Sequence, residues 1–281
     1  MVKPNFVWPD LLPGVTTSPL FIDSLLPILK NRCDRVILGE SNGSKFNVEK
    51  AFESHGMYEI CKSHGVELCN FSKMPSRFVK TQVGGRDVKI ELPNIMMDET
   101  DSFITVPTLK THNFTRVSIS LKNQWGCIPD SMRLLYHPML DRGIVAINKI
   151  LKPKISLIDA TYGLDGNGPI FGDPVRLDTL VVSDNIVAAD AVGSRFMGFS
   201  PDKVKHIRLA EKEGLGATFE SAIAMNGVMP QPLNFKVKLN LIDIAGNLIN
   251  YSSTVNNLVY DSQLTPLIYK VLGRETPKRI I

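Results

Sequence analysis

Apolar runs and stretches of helical periodicity alternate along the N-terminal part of the chain. Residues 35–39 form a continuous apolar run, which is typical of a strand buried in a parallel sheet. Residues 3–7 and 66–71 have the length and composition of further strands, and residues 20–31 and 48–64 have helical spacing. The order strand, helix, strand, helix, strand predicts an α/β fold with a mostly parallel sheet flanked by helices.

The pattern changes over residues 78–92, where two short alternating segments flank Gly84 and Gly85. Paired glycines between alternating segments predict an inserted β-hairpin. Later elements follow from the same periodicities: strands are expected at 103–106, 155–158 and 177–182, and helices at 143–151, 186–197 and 201–213. Asp184 is the expected N-cap of the helix at 186–197.

The C-terminal part of the chain has a different pattern. Beyond about residue 225, apolar and polar residues alternate at 235–244 and a polar, weakly patterned tail follows. We therefore expect an α/β core over residues 1–225 and a C-terminal extension, 226–281, packed on it. A chain of 281 residues that is 43% hydrophobic and 21% charged can bury such a core.

Composition excludes several classes of function. The net charge of +4 is small for this length and no nucleic-acid-binding motif is present, so no nucleic-acid partner is expected. The four cysteines form no C-x-x-C pair, so no iron–sulfur cluster is expected in this chain. No segment has the roughly 18 uncharged apolar residues of a membrane span, and the N-terminus lacks the apolar region of a signal peptide. We expect a cytoplasmic protein with no membrane partner.

Lys110 and His112 follow the predicted strand 103–106, and ligands of open α/β sheets bind outside the carboxyl ends of strands. Two residues that are two apart in an extended chain point the same way. Lysine with histidine suits an anionic ligand such as phosphate or carboxylate, and neutral imidazole also suits a metal ion. The alternative is a solvated lysine beside a histidine that caps a turn.

Polar and apolar side chains alternate over residues 116–122. Ser118 and Lys122 share a face whether this segment is a strand or a helix, because a separation of four fits both geometries. Asn123 follows, and an ammonium beside an amide could bind an oxyanion or a nucleotide edge. A solvated polar surface beside a core tryptophan, Trp125, is the other interpretation.

A glycine-rich loop follows the predicted strand 155–158 and contains Gly166, Asn167 and Gly168. Glycine permits close backbone approach to a ligand. Asp159 and Asp165 are natural Mg²⁺ ligands or general bases at such a strand end. The loop is neither a Rossmann nor a Walker motif, and a plain surface turn remains an alternative.

Asp190 lies within the apolar run 186–192. A carboxylate in such a run is costly to bury unless it is paired. Asp190 is therefore expected either to meet a cation or to face a cleft.

Several short motifs, taken in order, resemble domain-of-unknown-function family 362, and together they cover roughly residues 1–225. They are Lys3-Pro-Asn5, Gly14-Val-Thr-Thr-Ser-Pro19, Gly39-Glu-Ser41, Pro107-Thr-Leu-Lys-Thr-His112, Leu121-Lys-Asn123 with Gly126, Asp165-Gly-Asn-Gly-Pro169 with Gly172, and Ala188-Ala-Asp-Ala-Val192. Each motif is short, but the ordered set is specific. The residues that the resemblance places at motif positions are Lys3, Asn5, Glu40, Lys110, His112, Lys122, Asn123, Asn167 and Asp190.

The resemblance supplies no reaction. Many relatives are fused to, or encoded with, iron–sulfur ferredoxin modules. This chain departs from them because it has no cluster cysteines, so a redox role would imply a separate ferredoxin-like protein partner.

The leading hypothesis is an enzyme whose cleft gathers lysines, His112 and Asn123 around a small anionic ligand. The expected catalytic residues are His112, Lys110, Lys122 and Asp190. The expected cofactor-binding residues are Lys3, Asn5, Glu40, Asn123, Gly166, Asn167 and Gly168. No cofactor is identified; a divalent metal is one candidate, with His112, Asp159 and Asp165 as its expected ligands. The alternatives are a non-catalytic module that docks an iron–sulfur or cofactor-maturation partner, and a metal or cofactor carrier.

Overall fold

Eight strands form a mostly parallel sheet in the computed structural model, which describes residues 1–44, 46–228, 230–271, 276, 277 and 280. In chain order the strands, including a separate hairpin, are β1 (Val2–Lys3), β2 (Ile37–Glu40), β3 (Glu67–Asn70), β4 (Ser76–Val83), β5 (Arg86–Pro93), β6 (Ile104–Thr105), β7 (Thr108–His112), β8 (Arg116–Ser118), β9 (Ile155–Asp165) and β10 (Asp173–Ser183).

The helices surround this sheet. They are α1 (Pro19–Lys30), α2 (Val48–Ser54), α3 (Met57–Ser63), α4 (Ile95–Asp98), α5 (Ser120–Asn123), α6 (Leu140–Leu151), α7 (Ile186–Phe196), α8 (Lys205–Lys212), α9 (Leu241–Asn250), α10 (Ser253–Tyr260) and α11 (Thr265–Val271). Within the described part of the chain, none of them is long and apolar enough to cross a bilayer.

The strand order is β3-β2-β1-β6-β9-β7-β8, with β10 paired to β9. The pairs β7–β8 and β9–β10 are antiparallel, and the other pairs in this sheet are parallel. Because β1, β2 and β6 run in one direction, their last residues, Lys3, Glu40 and Thr105, lie at one edge of the sheet. Pro107 separates β6 from β7, and both strands pair with β9, so the chain continues past this edge to His112.

Hydrophobic side chains pack on both faces of the sheet. Ile37 and Leu38 are neighbours on β2 and belong to two different buried clusters, because successive side chains of a strand point to opposite faces. The Leu38 cluster includes residues of α1, α2 and α3, and the Ile37 cluster includes residues of α6, α7 and α8.

The predicted fold class is confirmed. The sheet is mostly parallel, helices flank it, and β4 and β5 form the separate hairpin around Gly84 and Gly85, both at positive φ. Gly56, also at positive φ, ends the helical stretch of α2 and begins α3. Helix α1 continues through Pro27.

Three local details differ from the sequence pattern. Strand β9 continues from the predicted 155–158 to Asp165, so Asp159 lies within the strand and not at its end. The prediction that Asp184 caps α7 is wrong: the Asn185 side chain accepts hydrogen bonds from the backbone nitrogens of Val187 and Ala188, at 3.0 and 2.9 Å. The alternation at 235–244 also gave no indication of helix α9. That helix begins with a capping box, in which the side chains of Asn240 and Asp243 each accept from the other's backbone nitrogen.

Candidate functional site

A cavity of about 250 Å³ lies at the sheet edge where β1 and β2 end. Lys110 and His112 alternate along the extended β7, and both line the cavity. Ser118, which pairs with Lys110 across β7 and β8, lines it as well. Other walls come from α5, from residues 131–137 and from residues 169–171. The structure therefore brings Asn5, Glu40, Lys110, His112, Lys122 and Asn123 to one cavity.

Lys3 and Glu40, at the ends of β1 and β2, form a buried ion pair. The Lys3 Nζ lies 2.5 Å from the Glu40 Oε2, and their side chains are 0% and 6% exposed. Glu40 also accepts hydrogen bonds from the backbone nitrogens of Phe6 and Ser41, at 3.2 and 3.0 Å. These contacts satisfy the Glu40 carboxylate, which a buried charge requires.

Gly126 packs directly against this ion pair. A Cβ at position 126 would lie 2.4 Å from the Glu40 Oε1 and 2.9 Å from the Lys3 Nζ. Any larger residue would push the pair apart, so the close approach explains the glycine that follows the Leu121-Lys-Asn123 motif.

Lys110 is held by a buried polar network. Its Nζ donates to the Asn5 Oδ1 and to the Val15 carbonyl, both at 2.7 Å. The Asn5 Nδ2 donates to the Asn123 Oδ1 at 3.0 Å, and the Asn123 Nδ2 donates to the Lys3 carbonyl at 2.9 Å. Burial, then the positive charge of Lys122, holds the pKa of Lys110 well below its ordinary value. The network fixes both asparagine amides and the lysine in one arrangement.

Lys122 also lines the cavity, but its ammonium group is not engaged in the same way. Within the described ranges, its Nζ forms no ion pair and no hydrogen bond, whereas Lys3 and Lys110 each have two acceptors. Burial, then the positive charge of Arg133, lowers the pKa of Lys122 to about 8. Lys122 thus lines the cavity as a half-buried side chain whose ammonium group is not bound to another described residue.

The charge of the cavity wall is positive. Lys110, Lys122 and Arg133 line it, while Glu40 is the acidic residue among its described lining residues and is paired with Lys3. The Arg133 guanidinium donates to the Ile128 and Asn42 carbonyls at 3.0 and 2.7 Å, which are neutral acceptors. The formal charge of the described lining residues is therefore positive.

The imidazole of His112 has a defined tautomer. Its Nδ1 accepts hydrogen bonds from the backbone nitrogens of Phe114 and Thr115, at 3.0 and 3.4 Å. Burial, then the charge of Lys122, holds the pKa of His112 well below its ordinary value, so the ring is neutral. A neutral ring that accepts at Nδ1 carries its proton on Nε2. His112 thus offers an N–H donor at Nε2.

A second histidine, His137, lines the same cavity. Its ring stacks on Phe114, with 5.7 Å between ring centroids and 14° between ring planes. Burial, then the charge of Lys122, lowers the pKa of His137 to about 3. The cavity thus combines lysine and arginine side chains with two neutral imidazoles.

Comparison with known proteins places this arrangement in a family. The model of the family described as Domain of unknown function (DUF362) matches residues 1–195, which run from β1 to the last turn of α7. The chain belongs to this family. The resemblance stated from the sequence is therefore confirmed, and the matched region contains every sequence-predicted site residue.

Individual relatives are more distant. The chain is 28% identical over 127 residues to a thylakoid-associated protein of Synechocystis sp.; this match covers 43% of this chain and 40% of that relative, so the chain spans less than half of the relative's length. A solved protein from Thermotoga maritima is 10% identical, with a TM-score of 0.33, over 72% of this chain and 61% of that one.

Asp190 of the DUF362 region lies behind the cavity and does not line it. Its buried carboxylate accepts hydrogen bonds from the backbone nitrogens of Ser120 and Leu121, at 2.7 and 3.1 Å, at the start of α5. Burial raises the pKa of Asp190 to about 7. The sequence-based expectation of a cation or a cleft is not met; Asp190 instead positions the turn that carries Lys122.

The expected metal ligands do not come together. The Asp159 carboxylate accepts from the backbone nitrogens of Ser18 and Thr161, and Asp165 accepts from those of Gly166 and Lys236. Neither aspartate lines the cavity with His112. The described residues contain no group of three or more His, Cys, Asp or Glu arranged to hold a metal ion.

The glycine-rich loop shapes the cavity from outside. Gly166, Asn167 and Gly168 do not line it, although the three residues that follow them do. The Asn167 Nδ2 donates to Asp243 at 2.5 Å, and a Cβ at Gly168 would lie 2.0 Å from the Thr111 carbonyl oxygen. These contacts dock the loop on β7 and α9, which places Phe171 near the Trp8 ring at 6.0 Å between centroids.

Sequence reasoning missed Arg133 as a site residue and left His137 unassigned. Both lie in a 3₁₀ segment, Arg133–Met139, that returns over the sheet edge. Their distance along the sequence from Lys110 and Lys122 fits no motif, because only the tertiary fold brings these segments together. The histidine in Leu135-Tyr-His-Pro138 was the one available signal.

Proposed function

We propose that this DUF362 protein is an enzyme that binds an anionic small molecule, bearing phosphate or carboxylate, beside Lys122. One observation carries the proposal: the Lys122 ammonium faces the cavity with no acceptor among the described residues. The Lys122 side chain is half-buried, and an ammonium in a cavity is less well solvated than one in bulk water. A bound anion would supply that partner.

The surroundings of Lys122 support an anion over a neutral or cationic ligand. Arg133 and Lys110 line the same wall, and the Glu40 charge is compensated by Lys3. Charge interactions are stronger in a partly dehydrated cavity than in water. A small oxyanion therefore gains from several cations at once.

His112 supports catalysis in addition to binding. Its Nε2–H donor lines the cavity, and backbone donors at Nδ1 hold the ring in that tautomer. A fixed N–H group aimed at a ligand oxygen can stabilise negative charge that develops during a reaction. This supports an enzyme, and a concave cavity is where enzymes bind small molecules.

The proposal is tested by calorimetric titration of the purified protein with oxalate and with inorganic phosphate. The test variant is Lys122→Met, and the matched control is Lys62→Met, which removes an exposed lysine of α3. We expect binding of at least one anion to wild type and to the control, with roughly tenfold or more weakening in Lys122→Met, which corresponds to about 1.4 kcal/mol. Equal affinity in all three proteins, or no binding of either anion to wild type at millimolar concentration, would overturn the proposal.

A further inference from the structure

Two lysines of the cavity differ in what their amine groups can do. Lys110 donates two hydrogen bonds, to the Asn5 Oδ1 and the Val15 carbonyl, which engage its Nζ in the wall. The Nζ of Lys122 has no such contact in the described part of the chain, and Lys122 lines the same cavity. Lys122 is therefore the amine that a ligand atom can approach.

Buried hydrogen bonds hold the backbone on both sides of Lys122. Asp190 accepts from the first two backbone nitrogens of α5, and Asn123 is held by Asn5, Lys3 and Thr105. A nucleophile needs such support, because a reacting group must stay close to one geometry. Lys122 thus projects from a fixed turn into a cationic cavity.

We infer that Lys122 is a nucleophile that forms an imine with a small 2-oxo acid bound in this cavity. The inference rests on the proposed anion site and names the class of ligand that it binds. The carboxylate of a 2-oxo acid would bind the cationic side chains, and its adjacent carbonyl would react with the amine of Lys122. A partly buried amine among other cations has a raised population of the neutral, nucleophilic form. The lowered pKa of Lys122 is consistent with this role.

Arg133 is suited to hold the carboxylate. Its planar guanidinium has five N–H donors, of which two are used by the Ile128 and Asn42 carbonyls. These two contacts hold the guanidinium in place, and its other N–H groups can donate to a ligand. Arginine binds carboxylates with two parallel hydrogen bonds, which orients the carbonyl next to the carboxylate.

The chemical step balances without a further reactant. The neutral Lys122 Nζ attacks the carbonyl carbon, a C–N bond forms, and the carbonyl π electrons move to oxygen. The Nε2–H of His112 stabilises that oxygen by a hydrogen bond. The two hydrogens of the amine leave with the oxygen as water, which gives a C=N bond between Lys122 and the acid.

The test is reductive trapping of the whole protein. Wild type is incubated with pyruvate and sodium cyanoborohydride, the adduct is counted by intact mass spectrometry, and its position is mapped by peptide analysis. We expect one reduced pyruvyl group per chain, on Lys122, formed roughly tenfold faster than on exposed lysines such as Lys62. Oxalate is expected to suppress labelling of Lys122 and not of Lys62.

Two further measurements separate this inference from the proposed function. Lys122→Arg removes the nucleophilic amine and should lose the trapped adduct, while Lys62→Arg should retain both oxalate binding and the adduct on Lys122. Oxalate binding without any selective adduct in wild type would overturn the imine inference and leave the anion site standing. Labelling of Lys122 no faster than Lys62, or labelling that oxalate does not suppress, would overturn it as well. Failure of wild type to bind oxalate or phosphate would overturn the proposed function itself.

Discussion

The Asp190 carboxylate accepts a hydrogen bond from the backbone nitrogen of Ser120 at 2.7 Å, and through it α7 determines where α5 begins. The carboxylate accepts from Leu121 as well and is fully buried. Lys122 and Asn123 follow directly in the same turn. A residue that does not touch the cavity thus controls the position of two residues that line it.

Asp190→Asn should destabilise the protein and weaken anion binding. The substituted amide keeps one acceptor oxygen and places its NH₂ group against a backbone N–H. This mismatch should lower the free energy of unfolding by about 2 kcal/mol at pH 5. The pKa of Asp190 is raised to about 7, so the folded wild type holds a proton that the unfolded chain releases near pH 4. Wild type therefore loses stability as the pH rises from about 4 to about 7, and the difference from Asp190→Asn narrows over that range.

Urea unfolding at pH 5 and pH 8 measures this difference. Asp173→Asn is the control, because Asp173 forms a solvent-exposed pair with Lys238 that should contribute little to stability. An unchanged free energy of unfolding for Asp190→Asn at both pH values would contradict the positioning role.

Glu40→Gln should be strongly destabilising. The substitution leaves the Lys3 charge buried without its partner, which costs about 3–5 kcal/mol. The double variant Lys3→Met with Glu40→Gln should recover part of this loss, because it removes the stranded charge. The free energies of unfolding of the single and double variants test this prediction. A decrease of less than about 1 kcal/mol for Glu40→Gln would show that the ion pair contributes little to stability.

His206 should contribute to instability in acid. It is fully buried, 3.8 Å from Asp141, and burial lowers its pKa to about 3. Between about pH 3 and pH 6.5 the unfolded chain binds a proton at this position and the folded chain does not. The free energy of unfolding therefore rises with pH over this window, by up to about 1.4 kcal/mol per pH unit from this one group.

His206→Met removes that contribution, so its free energy of unfolding should change less steeply with pH between 4 and 6. Above pH 7 the two proteins should show the same pH dependence, which serves as the internal control. Identical slopes in acid would mean that His206 is protonated in the folded state.

The sequence predicted the fold well because its signals are local. The periodicities located most strands and helices of the α/β core, and the residue spacing of two placed Lys110 and His112 on one side of β7. What local patterns could not supply were the contacts made across the fold. Asp190 was recognisable as a costly buried carboxylate, yet its partners are backbone nitrogens of another element. Arg133 and Lys122 are brought together only by the return of the chain over the sheet edge.

The C-terminal helices illustrate a different limit. Asn240 and Asp243 had the spacing of a capping box, but the alternation at 235–244 masked that signal. The first residues of the pattern form an extended segment, with a bridge from Val237 to Gly166, and the helix begins at Leu241. Residues 235–244 thus contain an extended segment followed by the start of a helix.

The decisive measurement is the pH dependence of oxalate affinity, because both oxalate carboxylates stay ionised across the neutral and alkaline range. The pKa of Lys122 is lowered to about 8, so its ammonium charge is present below that pH and is lost above it. Calorimetric titration should therefore show that wild type binds oxalate with constant affinity up to about pH 8 and progressively more weakly above it. Lys122→Arg should keep its affinity through pH 10, since arginine stays charged. Oxalate affinity that has the same pH dependence in both proteins would contradict the assignment of Lys122 as the cation that binds the ligand.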